Sequence, residues 1–368
     1  MRPRVPAPWE AGAPMRSVCC SAPQLAGLTP YDPKYLPAEA VLSANENPHD
    51  VEQEVRHEIM REVKRVALNR YPDPLANDLR DMIAEANGLD RDQVLVGNGG
   101  DELLFDIALA WGGPGRKFLN MPPTFSVYRN NAELTNTEVV DIPRLADYTI
   151  DEEAVLSRVA RGDIDYVIVT SPNNPTGDLA DERFILRLLD ATDALVMVDE
   201  AYFEFSRGTV RPYLAQHKNL VILRTFSKAF SLAGVRVGYL LGNPEVIREF
   251  LKVRQPYSVD AVSQAIARVV FRNRAKFERG IMQIVSERGR VFRELSQMSG
   301  ITAYPSNANY ILFRAEGAGE VWQQLYDRGI LVRDFSRAPM LQDCLRVSIG
   351  SPQENDEFLA ALREILPK

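Results

Sequence analysis

Residues 166–177 read YVIVTSPNNPTG, residues 194–202 read ALVMVDEAY and residues 220–228 read LVILRTFSK. Each stretch starts as a short apolar run rich in β-branched residues and turns polar or charged at its end. Near-continuous apolar runs of this length are typical of parallel strands that are buried on both faces. Ligands bind beyond the carboxyl ends of such strands, so the three polar endings are expected to meet at one site.

The same alternation of short apolar runs and amphipathic helical patterns extends to both sides of these stretches. The candidate strands are Gln93–Val96, Lys117–Asn120, Glu138–Ile142, Tyr166–Thr170, Ala194–Val198, Leu220–Leu223 and Val237–Leu241. The candidate helices are Val51–Val66, Asn77–Asn87, Glu102–Trp111, Glu182–Ala191 and Pro244–Val253. This order predicts an α/β fold in which a mostly parallel seven-stranded sheet is flanked by helices.

The pattern changes after residue 256. A long helical segment covers roughly 259–298, and it is followed by strand patterns at Ile301–Tyr304, Tyr310–Phe313, Ile330–Val332 and Leu345–Ile349 and by helices near Glu320–Arg328 and from Glu354. We therefore predict a large domain at 46–256 and a smaller α+β domain at 257–368. Residues 15–45 are expected to form an arm that packs with the small domain. Residues 1–14, which hold four prolines, are expected to be a disordered extension or a misplaced start.

The composition excludes several classes of protein. The chain has 368 residues, of which 45% are hydrophobic and 25% charged, and its net charge is −7. These values are those of an average globular protein, and the acidic balance argues against a broad nucleic-acid surface. Three histidines and three cysteines without metal-ligand spacing favour a protein that has no metal site. The adjacent Cys19 and Cys20 suit no disulfide framework, and no apolar run has the length of a membrane helix, so we expect a cytoplasmic protein.

Any one of the polar strand endings has an ordinary structural interpretation. SPNNPTG is typical of a turn, Asp199 could cap the next element, and Lys228 could be a solvated surface lysine. Their occurrence in order at three strand ends favours a functional site. Together, the segments SPNNPTG, VDEAYFEF and TFSKAFSLAGVRVGY resemble the signature segments of the fold-type I pyridoxal-phosphate (PLP) aminotransferases.

Four shorter segments narrow this resemblance. LTPYDP (28–33), LSANENP (42–48), RYPDP (70–74) and LVRDFS (331–336) are similar to segments of histidinol-phosphate aminotransferases. The resemblance runs from about Leu28 to the C-terminus. It implies the fold-type I architecture, PLP as the cofactor and a homodimer.

The resemblance also implies roles for the residues that would carry the chemistry. Lys228 would bind PLP as a Schiff base and, once released, move the substrate proton, because a desolvated amine loses its charge more readily. Asp199 matches the carboxylate that keeps the PLP ring nitrogen protonated. Glu200 beside it should face the other side of the strand. Asn174 and Tyr202 match the residues that hydrogen-bond the phenolic oxygen of PLP.

The glycine-rich stretch GNGGDE (97–102) joins a candidate strand to a helix and suits an anion at the helix N-terminus. It is not a dinucleotide fingerprint, because its sixth residue is Glu102 rather than Gly or Ala. The resemblance implies that the PLP phosphate is bound at Gly100, Asp101, Thr225, Ser227 and Arg236, with the acidic side chains turned away. Phe125 matches the aromatic residue that stacks on the PLP ring, with a place in the apolar core as the alternative.

Arg346 matches the family arginine that binds the substrate carboxylate, and its planar guanidinium suits that group. Arg333 is a candidate second contact for an anion, with a surface charge as the alternative. The other residues implied to line the substrate pocket are Tyr31, Asn45, Tyr71 and Asn309. Tyr71 is expected to come from the partner subunit, which would make the active site dimeric.

The resemblance predicts a transaminase that moves an amino group between L-histidinol phosphate and 2-oxoglutarate in histidine biosynthesis. Its partners would be these small anionic molecules and a second copy of the chain, without nucleic acid or membrane. Three alternatives stay open at this point. They are an aromatic amino-acid aminotransferase, a PLP lyase such as an amino-acid phosphate decarboxylase, and a PLP-binding regulatory module without catalysis.

Overall fold

The computed structural model of the protein describes residues 23–25, 28 and 36–366. Tyr31, Cys19, Cys20 and the predicted extension 1–14 lie outside the described residues. The chain divides into two units, Met1–Tyr31 and Asp32–Lys368. The described part of the first unit consists of a short 3₁₀ turn at Pro23–Leu25 and of Leu28, whose N–H donates a hydrogen bond of 3.2 Å to the Leu25 carbonyl. All other features belong to the second unit.

The strands of the second unit form two sheets. In chain order the strands are β1 (Ala40–Leu42), β2 (Val94–Gly97), β3 (Lys117–Asn120), β4 (Glu138–Asp141), β5 (Tyr166–Thr170), β6 (Leu195–Asp199), β7 (Leu220–Thr225), β8 (Gly238–Gly242), β9 (Ile301–Ala303), β10 (Tyr310–Ala315), β11 (Ile330–Asp334) and β12 (Cys344–Ser348). The larger sheet has seven strands in the order β2-β8-β7-β6-β5-β3-β4, and the smaller sheet has five in the order β1-β11-β12-β10-β9.

Helices cover both sheets. They are α1 (Gln53–Val63), α2 (Asn77–Asn87), α3 (Gly99–Trp111), α4 (Val127–Leu134), α5 (Glu152–Val159), α6 (Glu182–Ala191), α7 (Phe203–Ser206), α8 (Pro244–Val253), α9 (Ala261–Arg272), α10 (Glu278–Ser296), α11 (Ala318–Asp327) and α12 (Pro352–Ile365). In the described part of the chain, none of these helices combines the length and the apolar character that crossing a bilayer requires.

The large sheet is parallel except at β8, which runs antiparallel to β2 and β7. Alternate residues of each inner strand enter different apolar clusters on the two faces. In β6, Val196 and Val198 belong to one cluster, and Leu195 and Met197 to the other. A strand that is buried on both faces needs apolar residues at every position, which explains the uninterrupted runs in the sequence. The predicted α/β fold with its mostly parallel seven-stranded sheet is confirmed.

The small sheet collects strands from both ends of the second unit. Strand β1 pairs in parallel with β11, and the other neighbours in this sheet are antiparallel. Ala40 and Leu42 of β1 are buried in the same apolar cluster as residues of β10, β11, β12 and α12. The described end of the N-terminal segment is therefore part of the small sheet. The division into domains at residues 45/46 and 256/257 stays a prediction.

The sequence patterns did not predict the short elements β1 and α4. Strand β1 has three residues, too few for a visible alternation. Helix α4 has eight residues, and its buried positions are Tyr128, Asn131 and Ala132, so a polar residue interrupts its apolar face. A pattern of period 3.6 needs more turns than this to stand out. Helix α4 carries Tyr128, whose hydroxyl contacts Asp199 at the end of β6.

Register places the functional strand ends side by side. Thr170 at the end of β5 lies opposite Asp199 at the end of β6, and Asp199 lies opposite Leu223 of β7. Strand β7 continues two residues further and leads directly to the loop that carries Lys228. The parallel arrangement thus brings the three polar strand endings to one edge of the large sheet, as the sequence patterns indicated.

Candidate active site

Lys228 lies just after β7, and its side chain is half-buried. Its Nζ donates a hydrogen bond of 3.0 Å to the Ala44 carbonyl and lies 5.8 Å from the centroid of the Tyr202 ring. Burial of the amine, followed by the neighbouring positive charge of Arg346, lowers the pKa of Lys228 to about 8. An amine with this pKa is partly neutral near pH 8, so it can accept a proton or attack a carbonyl carbon.

Asp199 occupies the carboxyl end of β6, where it is 4% exposed. The Tyr128 hydroxyl donates to its Oδ2 at 2.7 Å, and the Ala201 N–H donates to its Oδ1 at 3.0 Å. The Tyr128 oxygen also lies 2.8 Å from Oγ1 of Thr170. Burial raises the pKa of Asp199 to about 6 in spite of these donors. Since hydrogen bonds alone do not offset the cost of burial, this carboxylate is suited to a cationic partner.

Glu200 points away from Asp199, as the alternation of a strand requires. Its Oε2 accepts a hydrogen bond of 2.9 Å from Nε of Arg224, and its Oε1 accepts one of 2.8 Å from the Val210 N–H. Both charged side chains are almost fully buried. Glu200 thus has a cation of its own on the far side of the sheet, whereas Asp199 faces the site.

The loop from β2 to α3 forms a narrow concave backbone surface beside β8. Gly99 has φ +77°, and a Cβ there would lie 2.6 Å from Nη2 of Arg236. A Cβ on Gly238 would lie 2.9 Å from the backbone N of Gly100. Glycine is therefore needed at 99 for conformation and at 238 for close approach. Together they leave backbone N–H groups at the start of α3 open to an anion.

Side chains around this surface add donors. Nη2 of Arg236 donates to Oδ2 of Asp101 at 2.9 Å, and its Nη1 lies 3.5 Å from Oγ of Ser227. Oγ1 of Thr225 lies 3.0 Å from Oγ of Ser227. Glu102 turns back to accept the Asn98 N–H. Glu102 is thus turned away from the donors, as expected, while the Asp101 carboxylate stays beside Arg236 and would compete with an incoming anion.

Arg346 of β12 is 5% exposed and faces the end of β5. Its Nη1 donates to Oδ1 of Asn174, and its Nη2 donates to the Ser43 carbonyl at 2.8 Å. Arg333 of β11 lies opposite Arg346 in the strand register and is half-buried. Its guanidinium carbon is 5.9 Å from the centroid of the Phe335 ring. Arg333 and Arg346 therefore occupy paired positions on two neighbouring strands of the small sheet.

The segment 43–47 crosses between the two sheets, with Asn45 at φ +55°. The Asn45 side chain donates to the Tyr202 hydroxyl at 3.0 Å, and its backbone N–H donates to Oγ of Ser348 at 2.8 Å. Nδ2 of Asn309 donates to the Asn45 carbonyl at 3.0 Å. Oδ1 of Asn309 is buried and accepts no hydrogen bond from any described residue. Asn45, Tyr202 and Asn309 are thus brought together.

Phe125 and Tyr71 are placed differently from this group. Phe125 is half-buried, and its ring meets that of Tyr128 edge-on at 5.6 Å, so it lies beside the residue that contacts Asp199. Tyr71 is 82% exposed, and its ring stacks on Tyr257 at 4.7 Å. Of the described hydrogen bonds and ring contacts of Tyr71, none reaches Lys228. Its predicted place in the partner's site stays a prediction, and Tyr31 lies outside the described residues.

Sequence reasoning missed Tyr128, Thr170 and Ser348. Tyr128 donates to the Asp199 carboxylate, Thr170 contacts the Tyr128 hydroxyl, and Ser348 donates to the Asn45 side chain. Thr170 ends a predicted parallel strand, so the strand-end rule could have drawn attention to it, whereas Ser348 lies inside the predicted strand Leu345–Ile349. Tyr128 follows the stacking candidate Phe125 by three residues, but the helix that brings it to Asp199 was not predicted.

Known proteins share the sequence pattern and the fold of this chain. A family model described as aminotransferase class I and II matches residues 39–362. The histidinol-phosphate aminotransferase of Caldanaerobacter subterraneus subsp. tengcongensis is 38% identical over 343 residues, which cover 93% of this chain and 97% of that protein. The family match spans both sheets and all of the site residues described above.

Two solved structures show the same fold over most of their length. The crystal structure of histidinol-phosphate aminotransferase from Sinorhizobium meliloti in complex with pyridoxal-5′-phosphate matches with a TM-score of 0.87 at 25% identity, covering 95% of this chain and 98% of that one. The structure of L-threonine-O-3-phosphate decarboxylase from Porphyromonas gingivalis matches with a TM-score of 0.79 at 26% identity, covering 89% of this chain and 100% of that one.

Proposed function

Because the chain belongs to the class I and II aminotransferases, we propose that it moves an amino group between L-histidinol phosphate and 2-oxoglutarate. The products would be imidazole acetol phosphate and glutamate, in histidine biosynthesis. The observation that carries the proposal is the 38% identity to a histidinol-phosphate aminotransferase over 93% of this chain. The decarboxylase resemblance concerns the fold at 26% identity, so the transaminase is the better-supported activity.

The residues at the site fit PLP as the cofactor. The concave backbone at Gly99 and Gly238 leaves space that a Cβ would fill, and Arg236 lies at its edge. The buried Asp199 carboxylate, with its raised pKa, suits the positive charge of a protonated pyridine nitrogen. The amine of Lys228 suits the aldehyde of the cofactor. PLP, when bound, supplies a ring that withdraws electrons and so stabilises negative charge on the substrate carbon.

Three groups of residues would hold PLP. The backbone at Gly100 and Asp101 and the side chains of Thr225, Ser227 and Arg236 lie around the phosphate position. Asp199 would contact the ring nitrogen, and Tyr202 and Asn174 the phenolic oxygen. Phe125 would stack on the ring. Arg236 has to exchange its contact with Asp101 for one with the phosphate, which carries more charge than a carboxylate and is favoured for that reason.

Lys228 would move the proton at its Nζ. Its lowered pKa leaves a large neutral fraction near pH 8, which is the form that accepts a proton. The Ala44 carbonyl orients the amine and leaves its charge unneutralised, so the lysine is free to change protonation state. Asp199, with a pKa raised by burial to about 6, is ionised near pH 8, and the hydrogen bond from Tyr128 favours that form. One side chain therefore changes protonation state while the other is held ionised.

Substrate anions would bind to the small sheet. Arg346 faces the site in a buried setting, and Arg333 lies next to it on β11. A planar guanidinium matches the carboxylate of 2-oxoglutarate with two parallel hydrogen bonds. Asn309 has a buried oxygen with no partner among the described residues, and it lies beside Asn45. We assign this oxygen to a hydrogen-bond donor of the substrate.

We also propose that the enzyme is a cytoplasmic homodimer in which Tyr71 enters the partner subunit's site. The position of Tyr71 supports its proposed entry into the partner subunit's site. It is 82% exposed in the single chain, stacks on Tyr257 and makes no described contact with the buried site of its own chain. An exposed aromatic side chain of this size is the type of residue that protein interfaces favour.

A steady-state assay with purified protein tests the activity. We expect turnover of L-histidinol phosphate with 2-oxoglutarate, and loss of both turnover and cofactor absorbance on Lys228→Ala. The matched control is Lys252→Ala, at an exposed lysine that pairs with Glu249 on its own helix. Preferred turnover of phenylalanine would indicate an aromatic aminotransferase, and release of CO₂ without a keto-acid requirement would indicate a lyase. Full activity of Lys228→Ala would refute the mechanism.

A further inference from the structure

Two buried side chains hold the backbone of the segment that carries Tyr71. Nε2 of Gln264, from α9, donates to the Asp73 carbonyl at 2.8 Å. Nη1 of Arg254, at the end of α8, donates to the Pro74 carbonyl at 2.6 Å. Gln264 is 3% exposed and Arg254 is 9% exposed. Two buried side chains thus bind the backbone carbonyls of consecutive residues of this segment, while the Tyr71 side chain is exposed.

The segment has a fixed internal shape as well. Oδ1 of Asp73 accepts from the Leu75 N–H at 2.9 Å, and its Oδ2 accepts from the Asn77 N–H at 2.8 Å. Ala76 has φ +52°, in the left-handed region that an alanine adopts only when the surrounding contacts require it. The Asp73 side chain thus organises the turn, and the contacts of Gln264 and Arg254 decide where the turn lies.

The guanidinium of Arg254 is buried with only part of its hydrogen-bonding capacity satisfied. Among the described residues, none accepts a hydrogen bond from its Nε or Nη2, and Oδ2 of Asp106 nearby is likewise without a donor. Burial lowers the pKa of Arg254, with the charges of Glu102 and Asp106 acting in the opposite direction. An incompletely satisfied guanidinium destabilises the fold. Its one described hydrogen bond goes to Pro74, so that contact is what the side chain provides.

We propose that Gln264 and Arg254 are positioning residues that hold the Tyr71 segment in the place from which it reaches the partner subunit's active site. This inference rests on the proposed function and its dimeric site. If Gln264 and Arg254 only stabilised the fold, replacing them would affect the chain that carries the change. A positioning role predicts a different result. A change at Gln264 should damage the site of the other chain and leave the site of its own chain intact.

Hybrid dimers test this consequence. We would combine a Gln264→Met chain with a Lys228→Ala chain, using two affinity tags, and measure transaminase activity of the isolated hybrid. The site built on the intact Lys228 then receives its Tyr71 segment from the chain with intact Gln264. Methionine has a volume and a flexibility close to those of glutamine but donates no hydrogen bond, so the helix should keep its packing.

The expected results follow from the geometry. The Gln264→Met homodimer should lose kcat/KM by about ten- to a hundredfold, as displaced site residues generally cause. The hybrid should regain about half of the wild-type activity, because one of its two sites is complete. A hybrid as weak as the Gln264→Met homodimer, or a homodimer with full activity, would overturn the proposal.

Arg254 supplies a second variant in case Gln264→Met does not fold. Arg254→Lys keeps a donor for the Pro74 carbonyl and should retain more activity than Arg254→Met, with the same recovery in hybrids. Gln353→Met is the matched control, since the amide of Gln353 is exposed and donates to Glu357 of its own helix. It should leave activity unchanged.

A hybrid of Tyr71→Phe with Lys228→Ala checks the dimeric site itself and should be as active as the Gln264 hybrid. Wild-type turnover is measured in the same assay. Failure of the proposed function therefore appears in the wild-type enzyme, and failure of the positioning role appears only in the variants.

Discussion

The buried carboxylate of Asp199 makes a quantitative prediction about stability. Asp199 is 4% exposed, and burial raises its pKa from 3.8 to about 6. Between those pH values the folded protein binds more protons than the unfolded chain, so stability falls as the pH rises. Well above pH 6 the free energy of unfolding has lost the whole contribution of this group. A difference of about two pKa units corresponds to ~3 kcal/mol.

Replacing Asp199 with Asn removes the charge and keeps an amide that can accept from the Ala201 N–H. The cofactor-free Asp199→Asn protein should therefore be more stable than the wild type by ~3 kcal/mol at pH 8 and by less than about 1 kcal/mol at pH 4. Urea unfolding of both proteins across this pH range measures the difference by linear extrapolation. Added PLP should stabilise the wild type more than the variant, because only the carboxylate attracts a cationic ring nitrogen. The variant should also lose transaminase activity.

Asp106→Asn is the matched control. Asp106 is 2% exposed, and burial raises its pKa to about 7, but it lies in α3 and not at a strand end. The stability advantage of Asp106→Asn over the wild type should also grow as the pH rises. PLP should stabilise this variant as much as it stabilises the wild type. If Asp199→Asn is no more stable than the wild type at pH 8, or if its advantage does not shrink at low pH, the assignment of an uncompensated charge to Asp199 is wrong.

Three further predictions concern individual contacts. The rate at which cofactor-free protein takes up PLP should rise with pH through about 8, because Lys228 becomes neutral there. Arg346→Gln removes a positive charge that lowers the pKa of Lys228, so stopped-flow absorbance should show this rise at higher pH in the variant. Tyr128→Phe removes a donor to the Asp199 carboxylate, worth ~1.5–3 kcal/mol, so kcat/KM should fall more at pH 6 than at pH 8. Gly99→Ala strains a residue at φ +77° and displaces Arg236, so fluorescence titration should show PLP affinity reduced about tenfold or more, and an unchanged affinity would contradict the anion role of this loop.

The large sheet was predictable because each of its inner strands has the same pattern, an uninterrupted run of apolar residues. A strand covered on both faces is apolar at every position, and its carboxyl end is where polar residues gather, as in β6 before Asp199. The alternation of side chains then separated Asp199 from Glu200 correctly. These rules act within a few residues and can be read directly from the sequence.

The remaining parts of the site depend on contacts between residues far apart in the chain. Arg346 donates to the Ser43 carbonyl across 303 residues, and Lys228 donates to the Ala44 carbonyl across 184 residues. A backbone carbonyl has no sequence signal, since every residue has one. Tyr128 was missed for another reason, because the eight-residue helix that presents it has a mixed buried face.

The nature of these acceptors bears on how an acidic protein keeps a cationic site. Lys228 donates to the Ala44 carbonyl, and Arg346 donates to the neutral oxygens of Ser43 and Asn174. Neutral oxygens orient a cation without cancelling its charge. Arg236 differs, because it pairs with the Asp101 carboxylate at a partly exposed position, where an ion pair is weak. A phosphate can replace that carboxylate at little cost. With a net charge of −7 over the whole chain, the position of these cations, and not their number, is what favours an anion at the site.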